Sequence, residues 1–205
     1  MKGLLKKDGY MLWKYGKITL LSCLIFLVAG SLNTKNLFFM LYPVIIGPAL
    51  CKSLSSYDER SGWDRYCDAL PLTRKLVVSE KYLFTLIVVA GIAILGMASR
   101  ALTAGLHGGQ LLPEATALLS AGILIPTITF PLDFRFGMEK GRLINLFIIG
   151  MICAVMAARS LDRGETVGAL LPWGNGAAML VVMGVLVLYG LSWLLSVRIY
   201  ERREF

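Results

Sequence analysis

Apolar residues along this chain fall in blocks, not stripes. Six blocks stand out, at residues 18–32, 37–54, 82–99, 113–131, 143–159 and 175–198. A membrane-crossing helix needs about 20 mostly apolar residues, with a range near 17–25, so the pattern predicts six transmembrane helices. The last block meets that length outright. The first and fifth need their flanks, Tyr10 to Tyr15 for one and Arg142 and Arg159 for the other, to complete a crossing. Pro43, Pro48 and Pro126 interrupt apolar blocks, which membrane helices tolerate. The predicted fold is all-α and polytopic, with an interfacial helix before the first span and a cytoplasmic helix between spans two and three.

Composition agrees with the blocks. The 205 residues are 57% hydrophobic and 17% charged, whereas soluble domains sit near 45–50% and about 25%. Charge then sets the orientation, because cytoplasmic loops hold the excess of Lys and Arg. Seventeen of the 21 basic residues fall at the two ends or in the loops at 55–81 and 132–142, or flank them; only Lys35, Arg100, Arg159 and Arg163 fall on the other side. Both termini are therefore expected in the cytoplasm, in a multi-pass protein of the cell's inner membrane. Anionic lipid of the inner leaflet accounts for the net charge of +8 without nucleic acid. Lys14 and Lys17, Leu20–Val28 and Ala29-Gly30-Ser31 also have the layout of a signal peptide. The long charged lead and the apolar block that follows at once favour an uncleaved span. Four cysteines, three of them in or beside blocks, suit reduced thiols, not a disulfide framework.

Residues 1–17 are too polar to cross. Leu4, Leu5, Met11, Leu12 and Tyr15 fall roughly on one helical side with lysines around the other, as in an interfacial helix lying on the lipid bilayer. The transmembrane domain then covers 18–205. The segment 55–81 is the most polar of the chain. Ser56 followed by Glu59 matches a capping box, and Asp58 and Glu59 would sit at the positive end of the helix dipole. Trp63, Tyr66, Cys67 and Leu70 follow helical spacing, Pro71 stops the helix, and Thr73 caps a further turn that carries Arg74 into span three. Residues 55–70 hold four acids against two arginines. Lipid-binding helices are normally basic, so this helix is expected to dock into a protein. The second inner loop, FPLDFRFGMEKGRLI, is a tight polar connection in which Asp133 and Arg135 are expected to pair.

The run DERSGWDRYCDALPLTRKLVVSEKYL, followed later by FRFGMEKGRLI, resembles the small bacterial ABC-2-type permeases. More closely, it is similar to the membrane subunits of exporters for phenol-soluble-modulin-like amphipathic peptides, over nearly the whole chain. The resemblance implies a half-transporter in which two permease subunits, identical or closely related, work with two separate ABC ATPase subunits. It also implies a coupling helix at about 56–70. The ATPase-coupling residues would be Ser56, Asp58, Glu59, Trp63, Asp64, Tyr66, Leu70, Pro71 and Arg74. Arg135, Phe136, Gly137, Glu139, Lys140 and Arg142 would form a second cytoplasmic hairpin that braces them.

Chemistry within the chain is sparse. No GxxxxGK[ST] loop occurs, so ATP and Mg would bind the partner ATPase, and no cofactor or metal is expected here. His107 is the only histidine, which removes most metal sites and His-based nucleophilic catalysis; it reads as an outer-loop residue. Glu114 reads as interfacial. The blocks are nearly free of ionisable residues, which argues against a proton-coupled carrier and suits an amphipathic peptide or other hydrophobic cargo. The expected function is the permease subunit of an ATP-driven ABC exporter, not an enzyme in itself. The alternative is a non-transporting immunity or stress-sensing membrane subunit that binds a cytoplasmic partner through the same helix.

Overall fold

Long runs of Leu, Ile, Val and Ala satisfy their backbone groups internally only as helices in an apolar medium, and helix is the only regular structure among the described residues. The computed structural model describes residues 2–32, 38–63, 66–67, 73–104, 108–137, 141, 147, 150 and 175–202. The helices are α1 (Lys2–Tyr15), α2 (Lys17–Leu32), α3 (Phe38–Arg60), α4 (Arg74–Ala104), α5 (Gly108–Phe136) and α6 (Asn175–Glu201). Among the described residues, Arg74–Ser99, Ala115–Phe136 and Met179–Glu201 are long and apolar enough to cross a membrane. A fourth crossing is added if α1 and α2, bent by 79° at their junction, act as one broken span. Apart from Phe147 and Gly150, the block at 143–159 lies outside the described residues.

The helix expected to begin at Ser56 does not begin there. Residues 38–60 form one helix, so Ser56 is internal, and its Oγ donates to the Lys52 carbonyl at 3.3 Å instead of capping. Ser53 and Ser55 do the same to Ala49 and Cys51, at 3.0 and 3.3 Å. Hydroxyls returned to the carbonyl four residues earlier let a serine-rich stretch remain helical. The stop comes later. Gly62 takes φ 72°, its N–H donates to the Glu59 carbonyl at 3.2 Å, and the Ser61 N–H donates to that of Tyr57 at 3.0 Å. A left-handed residue after the last turn is the usual helix terminator, and glycine adopts it without strain. Asp58 and Glu59 thus occupy the negative, C-terminal end of α3, where the dipole disfavours them. For Asp58 the compensation comes from other helices. Thr73 does precede a helix: its carbonyl accepts from the Leu76 N–H at 2.8 Å, and α4 runs on from Arg74 without a break.

The core lies between α4, α5 and α6. Val78, Tyr82, Val89, Ile123, Phe130, Phe134, Val185, Tyr189, Val197 and Tyr200 are buried together. Tyr82, Phe130 and Tyr189 pack with ring centres 4.7 and 5.0 Å from that of Tyr82. Polar groups inside this core are neutral and paired, as buried polar groups must be. The Tyr82 hydroxyl bonds Ser192 Oγ at 2.8 Å and Ser196 Oγ at 2.7 Å, Tyr189 donates to the Tyr82 carbonyl at 2.8 Å, and Ser192 donates to the Thr127 carbonyl at 2.7 Å. Outward faces are bare aliphatic surface, including Ile94 and Leu95 on α4 and Leu180, Val187 and Leu191 on α6. Cys23, Cys51 and Cys67 are free thiols, all buried.

Candidate functional site

The C-terminal ends of α3, α5 and α6 meet the N-terminal end of α4 at one pole of the bundle, and the buried charges collect there. α1 packs across this pole. Leu4 is buried, and Leu5, Met11 and Leu12 pack against Cys51, Leu54 and Phe84 of α3 and α4. Asp8 stands at i+4 between Leu4 and Leu12, on the same inward face, and is only 1% exposed.

Three helices share one ionic cluster. Lys81 Nζ on α4 lies 2.7 Å from Asp8 Oδ2 on α1 and 2.7 Å from Asp58 Oδ2 on α3. Lys7 Nζ closes the ring, 2.7 Å from Asp58 Oδ2 and 3.1 Å from Asp8 Oδ1. Glu80, also buried, is more loosely placed, 3.9 Å from Lys81 Nζ. Burial alone would raise the Asp8 pKa; the ammonium groups of Lys81 and Lys7 outweigh it and hold the carboxyl below its ordinary value. The cluster offsets the unfavourable placement of Asp58 at a helix C-terminus and ties α1, α3 and α4 into one unit.

A second buried pair joins α3 to α5. Lys52 Nζ lies 2.8 Å from Asp133 Oδ1 and donates to the Gly141 carbonyl at 2.9 Å. Asp133 therefore does not pair with Arg135, contrary to the expectation from sequence. Position 135 lies on the opposite, exposed side of α5, where Arg135 stacks over Phe136 at 5.5 Å. The helix ends on Gly137 with φ 87°, its N–H bonded to the Asp133 carbonyl at 2.9 Å. The Gly141 backbone then returns against Asp133 so closely that a Cβ there would overlap the carboxylate.

Of the residues expected to couple to a motor, Trp63 and Asp58 are brought together through Lys7. The Lys7 ammonium sits 4.5 Å from the centre of the Trp63 ring, a cation–π contact, while it bonds Asp58. Tyr66 packs beside Trp63 at 5.5 Å and is 58% exposed, whereas Cys67 is buried. Asp58 is buried in the cluster, so it holds the pole together and is not a surface contact. Ser56 is half-buried and bonded within α3, and Glu59 is half-buried. Arg74 reaches a different partner; its Nη1 donates to the Glu201 carbonyl at 3.3 Å, joining α4 to α6. Asp64, Leu70, Pro71, Glu139, Lys140, Arg142, His107 and the Glu114 side chain lie outside the described residues. Lys7, Asp8, Lys52 and Lys81 were given no site role from the sequence, although Lys81 lies in the run that carries the family resemblance. The signal for Asp8 was present, in its position on the apolar stripe of α1.

A family model described as "ABC-2 family transporter protein" matches residues 3–201. The chain belongs to the ABC-2 transporter family. No curated protein and no solved structure matches it. Membership, together with the apolar helices, makes this ABC-2 protein a multi-pass membrane protein and a transporter membrane component. The matched range includes the ionic cluster, the Trp63–Tyr66 segment and the α5 terminus.

Proposed function

We propose that this chain is the permease subunit of an ATP-driven exporter, working as a pair with a second permease and driven by separate cytoplasmic ABC ATPases that hold the ATP and Mg. In this reading the charged pole faces the cytoplasm, six helices cross the membrane, and the cargo is an amphipathic peptide or another hydrophobic molecule. One observation carries the proposal beyond family membership: the Trp63 ring bears on Lys7, which is bonded into the same cluster as Asp58 and Lys81. A push on the Trp63–Tyr66 segment is thereby delivered to three helices at once, not to one loop. Lys81 passes it into α4, whose Tyr82 is hydrogen-bonded to α6. Lys52 and Asp133 pass the displacement of α3 to α5. Closure of the ATPases would rock α4, α5 and α6 together and so exchange inward-open and outward-open arrangements.

Co-expression with a candidate ABC ATPase, one that carries a GxxxxGK[ST] loop, tests this reading. ATP hydrolysis in reconstituted vesicles is expected to depend on this chain and to rise when amphipathic helical peptides are supplied. Hydrolysis that is the same with and without the chain would overturn the reading and leave a non-transporting binding subunit in its place.

A further inference from the structure

The ionic cluster has one carboxyl too many. Lys7 and Lys81 bring two positive charges to it, whereas Asp8, Asp58 and Glu80 bring three carboxyls. Asp8 and Asp58 take the close contacts, each 2.7 Å from Lys81 Nζ. Glu80 takes none of them. Its Oε2 stands 3.9 Å from Lys81 Nζ and its Oε1 has no hydrogen-bond partner, although the residue is only 1% exposed. An ionised carboxylate so deep and so poorly paired is costly.

Asp8 offers the missing partner. Its Oδ1 also lacks a hydrogen-bond donor, because Lys7 approaches to 3.1 Å but at an angle that makes no hydrogen bond. The Glu80 and Asp8 carboxyls are within hydrogen-bonding reach of one another. Two carboxylates cannot bond to each other, since an ionised carboxyl only accepts. One proton between them joins the pair, as in other carboxyl dyads that share a proton. The cluster then balances, with two ammonium groups against two carboxylates. The groups that face this pair are Lys7 of α1, Asp58 and the buried Cys51 thiol of α3, and Lys81 of α4, with Cys51 itself bonded to Thr85. Lys52 of α3 and Asp133 of α5 are paired with each other, and α6 packs on the Tyr82 side of α4, away from the pair. Among the described residues, no group of three acidic, histidine or cysteine side chains is set to hold a metal ion. The ligand that fits is a proton.

We propose that Glu80 and Asp8 form a proton-binding site, in which one shared proton latches α1 onto α4. When that proton leaves to water, a third negative charge enters the cluster and faces Asp8 directly. α1 is the element placed to yield, because it already bends by 79° from α2 at their junction. Lys7 moves with it and gives up its contact with the Trp63 ring. The pole is therefore held closed while the proton is bound and loosened in alkali. This latch needs neither the cargo nor the motor proposed above.

Infrared spectroscopy and thermal melting of the full chain in detergent test it. A protonated carboxyl has a carbonyl band of its own, apart from those of carboxylates. That band is expected in the native protein at neutral pH. It is expected to lose one carboxyl's intensity in Glu80→Gln, which keeps the shape of the neutral acid, and to be unchanged in Glu59→Gln. Stability follows with a definite sign. A folded state that keeps a proton the unfolded chain has lost becomes less stable as pH rises above the ordinary carboxyl range. E80Q escapes this loss, so its melting temperature is expected to gain on the native one between about pH 5 and about pH 8, by about 2–4 °C or more. Absence of the band from the native protein, or its full retention in E80Q, would overturn the proposal. So would an equal loss of stability in E80Q at both pH values, or a native melting temperature that follows sodium concentration and not pH.

Discussion

Replacing Lys81 with methionine is expected to destabilise the charged pole by about 3–5 kcal/mol, the usual consequence of leaving a buried charge without its partner. Lys81 is the common partner of Asp8 and Asp58, each 2.7 Å away and each nearly inaccessible to water. Methionine keeps most of the side chain's length but leaves two buried carboxylates facing one remaining ammonium, that of Lys7. The loss should appear as a lower melting temperature in detergent and as earlier protease access to α1. The companion variant decides the cause. Combining K81M with Asp8→Asn leaves Lys7 paired with Asp58 alone, which restores the charge balance of the ring, and part of the stability should return, because the large cost comes from a buried charge left without its partner. If the double variant is as unstable as K81M alone, loss of packing and not of charge balance is responsible.

Gly141→Ala is expected to have the next largest effect, about 1–3 kcal/mol or more, the range for forcing a methyl group into a filled site. The new Cβ would overlap the Asp133 carboxylate and stand 3.2 Å from its Cα. Asp133 is fully buried and cannot swing aside without leaving Lys52, whose ammonium also holds the Gly141 carbonyl. The change therefore breaks the link between α3 and α5. Gly91→Ala on α4 is the control: nothing lies within 4 Å of the place its new methyl group would take, and the site is exposed. It should be neutral or slightly stabilising, since alanine favours helix over glycine by up to about 1 kcal/mol. Thermal stability of the two purified proteins in the same detergent separates the outcomes.

Block length and composition were enough to read the helical class and the membrane setting, because a long apolar run has few ways to satisfy its backbone. The charged pole was harder. Ser56 followed by Glu59 looked like a helix start but lies inside a continuing helix, where its hydroxyl, like those of Ser53 and Ser55, bonds back along the chain; Gly62 was the true signal. Asp8 was legible in principle from its register with Leu4 and Leu12. Lys52 was not, because its partner Asp133 stands far along the chain and only the meeting of α3 with α5 makes them a pair. Asp133 and Arg135 lie close in sequence yet on different sides of α5, so proximity along the chain misled. Asp58 belongs to the expected coupling segment, but it lies inside the cluster, bonded to Lys7 and Lys81, and not at the surface.

The role of the Trp63–Tyr66 segment can be tested by contact. A photoreactive phenylalanine analogue placed at Tyr66, which is exposed, is irradiated in native membranes with the candidate ATPase present; Leu83, on the aliphatic face, serves as the comparison. Crosslinking of position 66 to the ATPase, with position 83 reaching only lipid, is the expected result. Lipid adducts alone at position 66, in membranes where the ATPase is bound, would contradict coupling at this segment.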